Sequence, residues 1–241
     1  MTTDAPSASA AQADGRRLRW AEHRAQRRAA FVDAGVRAVD EFGPGASAEQ
    51  IAELAGVSRS VLYRYFRDRD DLRQAIADQI VGEVVDSVMP HLQITPTVTP
   101  RSVIGETIAV IVGWFDEHPN MYYFLRERRA TSLDAVEATL ADRVAALLKL
   151  VMMFLGMDGE QADPGAYGIV GFVESAGAWW LSRRGTPAAM PRERFTDNVC
   201  MAVWHLLEGT ARANGITIGY DDPLPTAIAN LQHRESQETT S

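Results

Sequence analysis

The chain of 241 residues has a single cysteine, Cys200, and a single lysine, Lys149. One thiol excludes an intrachain disulfide and any cysteine-cluster metal site. Cys200 lies in an apolar helical stretch with nothing nearby to lower its pKa, so it reads as a buried, inert thiol rather than a redox switch. The five histidines (His23, His91, His118, His205 and His233) are scattered, with no pair at a four-residue step. Nothing resembles a phosphate loop, a nucleophile elbow or a zinc-ligand cluster. No catalytic residue, metal or cofactor is therefore expected, and the chain does not read as an enzyme. No apolar run approaches the roughly 18 residues that a membrane helix needs, so no membrane partner is expected. The first fifteen residues, rich in Ala, Thr, Ser and Asp, lack the apolar centre of a secretory signal. They read as a disordered tail on a cytoplasmic protein. Internal repeats are absent, and strand-like alternation is scarce.

What remains is ordinary globular material: 46% hydrophobic and 23% charged residues, enough to bury a core. The net charge of −8 argues against nucleic acid at first sight, but its distribution matters more than its sum. Residues 16–73 hold twelve arginines against nine acidic residues, a net of +3, which leaves −11 for the rest. A mildly basic head on an acidic body can dock on phosphate at one end only.

Helical spacing dominates the chain. A first helix is expected from about His23 to Phe42, with Phe31, Ala34, Ala38 and Phe42 on one stripe, stopped by Gly43-Pro44-Gly45. Ser47 and Gln50 form the S-x-x-Q pattern of a capping box at the start of a short second helix. Gly56 suits the left-handed residue that ends it. Ser58 then caps a third helix to about Phe66, and a fourth runs from about Asp70 to Met89. Residues 95–100 (TPTVTP) form a linker. Further helical patterns cover about 101–117, 119–130, 133–156, 164–183 and 191–213. Prolines 119, 164 and 191 lie near helix starts, and glycines 156, 185 and 215 near helix ends.

The strongest functional signal is residues 47–66, SAEQIAELAGVSRSVLYRYF. Two short helices joined by a tight glycine-containing turn, the second carrying polar groups, form the pattern of a DNA-reading helix-turn-helix. Val57, Val61, Leu62 and Phe66 would face inward, and Arg59, Ser60, Tyr63, Arg64 and Tyr65 outward. Arginine can make two hydrogen bonds to guanine in the major groove. Tyrosine and serine hydroxyls suit phosphate oxygens, and Ser47 could meet a phosphate at the start of the second helix. Arg16, Arg17 and Arg19 could form an arm reaching a minor groove, although a solvated tail is the simpler reading.

With Phe31-Val32-Asp33-Ala34-Gly35, Ile51-Ala52, Ala55-Gly56-Val57-Ser58 and the run LYRYF at 62–66, the segment from about 23 to 72 resembles the TetR family of bacterial transcriptional regulators. The resemblance implies that Ser47, Arg59, Ser60, Tyr63, Arg64, Tyr65 and Arg69 touch DNA; most members have lysine where Arg69 stands. It also implies a helical regulatory body around a small-molecule pocket, a four-helix dimer interface, and operator release on ligand binding. The expected fold is all-α: a three-helix DNA-binding domain joined to a larger helical ligand-binding and dimerisation domain. The expected boundaries are a disordered tail over 1–18, the helix-turn-helix domain over 19–68, the regulatory domain over 69–215 and a partly disordered tail over 216–241.

In the body, the helix at 164–183 carries small residues at helical steps: Gly168, Gly171, Ser175, Ala178 and Ser182. The helix at 191–213 carries Phe195, Val199, Ala202, Leu206 and Thr210 at matching steps. Gly171, Ser175, Ala178, Val199, Ala202 and Leu206 are therefore expected to pair two copies about a twofold axis as a homodimer. The middle helices hold an aromatic and methionine set in which adjacent pairs such as Tyr122-Tyr123 and Trp179-Trp180 cannot all face one core. Trp114, Tyr122, Tyr123, Met152, Glu174 and Trp180 are the expected lining of a pocket for an apolar or aromatic effector. The expected partners are thus a double-stranded DNA operator, a second copy and a small molecule. The alternative is a helical small-molecule-binding or scaffold protein without operator binding.

Overall fold

A computed structural model describes residues 8–93, 95, 97–127, 133–154 and 158–224, with side chains described from Trp20 onward except at 133–137, 154 and 161. Among the described residues there are nine α-helices and no strand. The chain divides into two compact units, one through Ile80 and one from Val81.

The first unit is built from α1 (Ala8–Phe42), α2 (Ala48–Leu54), α3 (Arg59–Leu62) and the first part of α4 (Arg69–Val88). α1 begins fifteen residues before the apolar stripe predicts, so residues 8–18 are helical and not a disordered tail. Alanine, glutamine and arginine favour helix without any burial, which a search for apolar periodicity overlooks. Arg16, Arg17 and Arg19 lie on this helix, with side chains outside the described residues. Phe31, Ala34, Ala38 and Val39 of α1 are buried, as are Leu62, Phe66, Leu72 and Ile76, and Gly35 of α1 closes on Ile76. Leu72 and Ile76 are buried and fall in the first unit, which therefore extends past residue 68, where the sequence suggests a boundary.

Gly35 is the close approach in this core. A Cβ built on it would lie 2.6 Å from Cγ1 of Ile76, which is fully buried. Alanine gains about 1 kcal/mol of helix propensity over glycine, but overpacking a filled core costs about 1–3 kcal/mol. Gly35→Ala is therefore expected to lower stability in chemical denaturation. Combined with Ile76→Ala, it should cost less than the two single changes added together; strict additivity would mean that the two sites do not touch.

The second unit contains α5 (Pro100–Glu117), α6 (Pro119–Glu127), α7 (Leu133–Phe154), α8 (Ala162–Leu181) and α9 (Arg192–Ala213). Thr99 caps α5 with a full capping box, its hydroxyl accepting from the Ser102 N–H and its own N–H donating to the Ser102 hydroxyl. Prolines stand at the first position of α5 and α6, where no N–H is missed. Gly185 and Gly215 take the positive φ that ends α8 and α9. The expected helix ends at 128–130 and 155–156, Gly156 and the Phe154 side chain lie outside the described residues. α7 packs along α8 and α5 along α9. The core joins Ile108, Val112 and Phe115 to Val173, Trp180, Phe195, Val203 and Trp204.

Cys200 is buried in this core, and burial pushes its thiol pKa up to about 11, with Asp197 adding to the shift. Residues 216–224 are not a tail. Ile216 is buried, Tyr220 stacks on Trp204 at 5.0 Å, and the Arg101 N–H donates to the Tyr220 carbonyl at 2.9 Å. Aromatic stacking and two backbone bonds hold a stretch that has no helical period to reveal it. The polar end, 225–241, lies outside the described residues.

Candidate functional site

The turn between α2 and α3 is fixed by local chemistry. Ser47 caps α2: its hydroxyl accepts from the Gln50 N–H at 3.2 Å, and the Ser47 N–H donates to the Gln50 side chain at 2.8 Å. At the other end the Val57 N–H reaches the Ala52 carbonyl and the Gly56 N–H the Glu53 carbonyl, with Gly56 at φ 66°. This pair of bonds is the Schellman stop, and its left-handed residue is tolerable only as glycine or a close substitute. The chain then reverses directly into α3 at Ser58.

α3 is shorter than the spacing predicts. The helix covers Arg59–Leu62, Tyr63 to Tyr65 continue as turns, and Phe66 is a bend. The Arg64 N–H bonds to the Val61 carbonyl and the Tyr65 N–H to the Leu62 carbonyl, tighter i→i+3 bonds of the kind that finish helices. Ser58 stands at the N-cap position without a side-chain capping bond; its hydroxyl meets that of Ser60 at 3.0 Å instead. Leu62 and Phe66 are buried, and Val57 and Val61 half-buried.

On the outer side, Arg59, Ser60, Arg64 and Arg69 are exposed, and Tyr63 and Ser47 are half-buried. Tyr65 is half-buried as well. Its ring packs edge-on against Phe31 at 5.0 Å, so it braces α1 more than it projects outward as expected. Arg59 is engaged: its guanidinium lies 2.6 Å from the Glu49 carboxylate and over the Tyr63 ring. A hydrogen bond to its own backbone, followed by the charge of Arg59, holds the Glu49 carboxyl below its ordinary pKa. No acidic group pairs with Arg64 or Arg69 among the described residues.

Behind this face, Asp71 accepts from the Arg67 N–H and pairs with Arg28, whose guanidinium covers the Phe66 ring at 4.7 Å. The Arg67 N–H, then the charges of Arg67 and Arg28, hold Asp71 below the usual carboxylate range. Neither Glu49 nor the Arg28–Asp71 brace is visible from sequence spacing, because both join residues ten or more apart.

The second unit holds two cavities. The larger, about 400 Å³, lies among α5, α7, α8 and α9 and is closed partly by Ile218 and Leu224. The smaller, about 100 Å³, lies among α4, α5, α6, α7 and α8. Of the pocket residues expected from sequence, Met152 lines the larger, and Trp114, Tyr122 and Glu174 line the smaller. Tyr123 lines neither and is 37% exposed. Trp180 also lies outside both: it stacks on Phe195 at 5.0 Å, and its indole N–H donates to the Met190 carbonyl at 2.7 Å. The walls are mainly aliphatic, because adjacent aromatics split between core and surface: Tyr122 is buried beside exposed Tyr123, and Trp180 beside exposed Trp179.

The smaller cavity has a polar corner. The Tyr122 hydroxyl donates to Glu174 at 2.8 Å and accepts from Arg126 at 3.0 Å. Burial, then the bond to Glu174, pushes the Tyr122 pKa well up, so the hydroxyl stays a donor at every physiological pH. Thr107 lines the same cavity, and among the described residues its hydroxyl is the buried side-chain polar atom left without a hydrogen-bond partner. A polar residue inside the apolar run at 101–117 was the available sequence signal for it. An orphaned hydroxyl is costly to keep. Thr107→Val is expected to raise the stability of the free protein by about 1 kcal/mol in denaturant titrations; a loss of stability would mean that the hydroxyl has a partner.

Of the expected dimer residues, Ser175, Ala202 and Leu206 are exposed and Gly171 and Ala178 half-buried. Val199 is not on that surface. It is 3% exposed, in the core with Cys200, Val203 and Trp204, because the chosen stripe of α9 runs along the border of its buried arc. Phe172, Trp179 and Met201, each 40% or more exposed, add apolar area to the outer faces of α8 and α9.

Among the described residues no cluster of side chains suits a metal ion, and no helix is long and apolar enough to cross a membrane. The family model for bacterial regulatory proteins of the tetR family matches residues 31–76. An uncharacterised helix-turn-helix-type transcriptional regulator of Mycobacterium tuberculosis is 30% identical over 222 residues, covering 89% of this chain and 92% of the relative. A tetR-family transcriptional regulator from Streptomyces coelicolor has a similar fold, with a TM-score of 0.61 at 17% identity over 86% of this chain and 89% of that one. A transcriptional regulator from Rhodococcus sp. Rha1 matches with a TM-score of 0.59 at 18% identity, over 76% of this chain and 96% of its own.

Proposed function

The chain belongs to the TetR family of bacterial transcriptional regulators, and from that premise we propose that it acts in the cytoplasm as a homodimeric repressor released from its operator by a small apolar or aromatic molecule. The DNA-binding domain is the helix-turn-helix head, and the helical body serves regulation and dimerisation. The protein is a regulator and not an enzyme.

The observation that carries the reading is the outer side of α3 and its following turn. Arg59, Ser60 and Arg64 are exposed on a segment that the Schellman stop presents away from the core, and Arg64 has no acidic partner among the described residues. Arg64 is free to read a guanine edge or a phosphate. Tyr63, beneath Arg59, offers its hydroxyl to a phosphate, and Ser47 and Arg69 contribute to positioning. Arg59 reaches DNA by exchanging Glu49 for a phosphate or base, which makes Glu49 and the DNA competitors for one guanidinium.

In the body, apolar side chains exposed on α8 and α9 support a twofold contact between copies. The two cavities support an effector that is mostly apolar with few polar groups. Selection of bound sequences from random duplexes with the full-length protein tests the reading. The expected product is a palindrome with half-sites about one helical turn apart, with affinity that falls steeply as salt rises. Binding without sequence preference, or none, would overturn it.

A further inference from the structure

The two cavities are stacked end to end along the same three helices. On α5, Ile104 lines the larger and Ile108, one turn on, the smaller. On α7, Leu148 lines the larger and Val144 the smaller. On α8, Gly165 lines the larger and Val173 the smaller, and Ile169, midway between them, is common to both linings. Ile169 is 8% exposed and belongs to the core cluster. From Ala162 to Glu174 the two chambers follow about 18 Å of α8, at 1.5 Å per residue.

Polar side chains line both chambers, and in the larger one they are already engaged: Glu208 pairs with Arg212 and His205, and the Thr210 hydroxyl donates to the Leu206 carbonyl. The Tyr122 hydroxyl and one Glu174 oxygen satisfy each other, with Arg126 behind them. Thr107, on the wall of the smaller chamber, is left over: its buried hydroxyl has no partner among the described residues. A hydroxyl can donate or accept, so it can be satisfied by an alcohol or a carbonyl that arrives with an apolar chain behind it.

We propose that Ile169 is the partition that sets the length of ligand this protein accepts: an unbranched, amphipathic molecule places its chain in the larger chamber and passes Ile169 to bring its polar head to Thr107. The inference rests on the reading of the body as an effector-binding unit and adds the class of effector and the residue that selects it. A molecule too short to pass Ile169 gains the apolar contacts of one chamber and leaves Thr107 unsatisfied. A longer one gains both, at the cost of displacing the Ile169 side chain. Truncating that side chain removes the cost for long molecules and leaves short ones almost unchanged.

The test uses the full-length protein and three probes, hexanol, decanol and tetradecanol, with binding measured by calorimetry and thermal shift on wild type, Ile169→Ala, Ile169→Phe and Thr107→Val. Ile169→Ala is expected to bind tetradecanol at least tenfold more tightly than wild type, with hexanol changed less than threefold. Ile169→Phe should lose tetradecanol binding and keep hexanol. Thr107→Val should lose the preference for tetradecanol over the alkane of equal length. Should Ile169→Ala not fold, Ile169→Val gives the same ordering with a smaller change. An unchanged ratio of tetradecanol to hexanol affinity across the Ile169 variants overturns the partition while leaving an effector-binding body intact. Absence of binding by all three alcohols to every protein overturns the inference too; the effector reading falls as well only if no apolar or aromatic compound releases the operator.

Discussion

Arg64→Ala is expected to weaken operator binding roughly ten- to a hundredfold per half-site, the size of one bidentate guanine pairing or its equivalent in charge. Arg64 is exposed and carries no acidic partner among the described residues, so no described carboxylate competes for it. Arg59 behaves differently. It begins bound to Glu49 at 2.6 Å, and what it gains on DNA is reduced by the ion pair it leaves. Arg59→Ala should therefore cost less than Arg64→Ala, and Glu49→Gln should tighten binding by freeing the guanidinium and removing a negative charge beside the phosphates. Fluorescence anisotropy with the selected operator at several salt concentrations separates the roles. If Arg64 pairs with a phosphate, its removal lowers the salt slope by about 1. If it reads a base, its removal relaxes specificity at one position and leaves the slope near its wild-type value. Arg64→Ala protein that binds as wild type does, in affinity and in specificity, would remove Arg64 from the interface.

The head was legible because local rules decide it. The capping box at Ser47 and Gln50 and the glycine stop at Gly56 involve neighbours only, and both are present as the residues dictate. The shortness of α3 was not legible. Val61, Leu62 and Phe66 keep a helical spacing through a segment that leaves the helix after Leu62. Apolar spacing records which side is buried, and a run of tight turns buries the same side.

Tyr65 shows the complementary limit. It stands among polar neighbours, yet its ring finds Phe31, thirty-four positions earlier. In the body, helix positions followed from proline, glycine and periodicity, but the cavity walls did not. Which of two adjacent aromatics turns inward is set by long-range partners: Phe195 and Met190 for Trp180, Glu174 for Tyr122. Residues 216–224 had no pattern at all, and their place comes from Trp204, Arg101 and Val98.

If the proposed dimer forms through α8, Phe172→Glu is expected to leave the protein monomeric and to weaken operator binding about a hundredfold to ten-thousandfold, since linking two modest contacts multiplies their affinity by that range. Phe172 is 43% exposed on the outer face of α8, beside the small residues Gly168, Gly171 and Ser175 that let another helix approach. In a twofold contact each substitution is met by its own copy, so two carboxylates enter one apolar interface together. Burying them without partners costs several kcal/mol. Within the isolated chain the same change lies on an open surface, where substitutions usually shift stability by no more than about 0.5 kcal/mol. Helical content should therefore survive while sedimentation reports half the mass. Phe172 lines neither cavity, which keeps the loss of DNA affinity separable from any change in effector binding. Two recognition segments spaced for neighbouring grooves gain their joint affinity only when one body holds both. A Phe172→Glu protein that sediments as a dimer would move the contact away from α8, and a monomer that keeps full operator affinity would show that one head suffices.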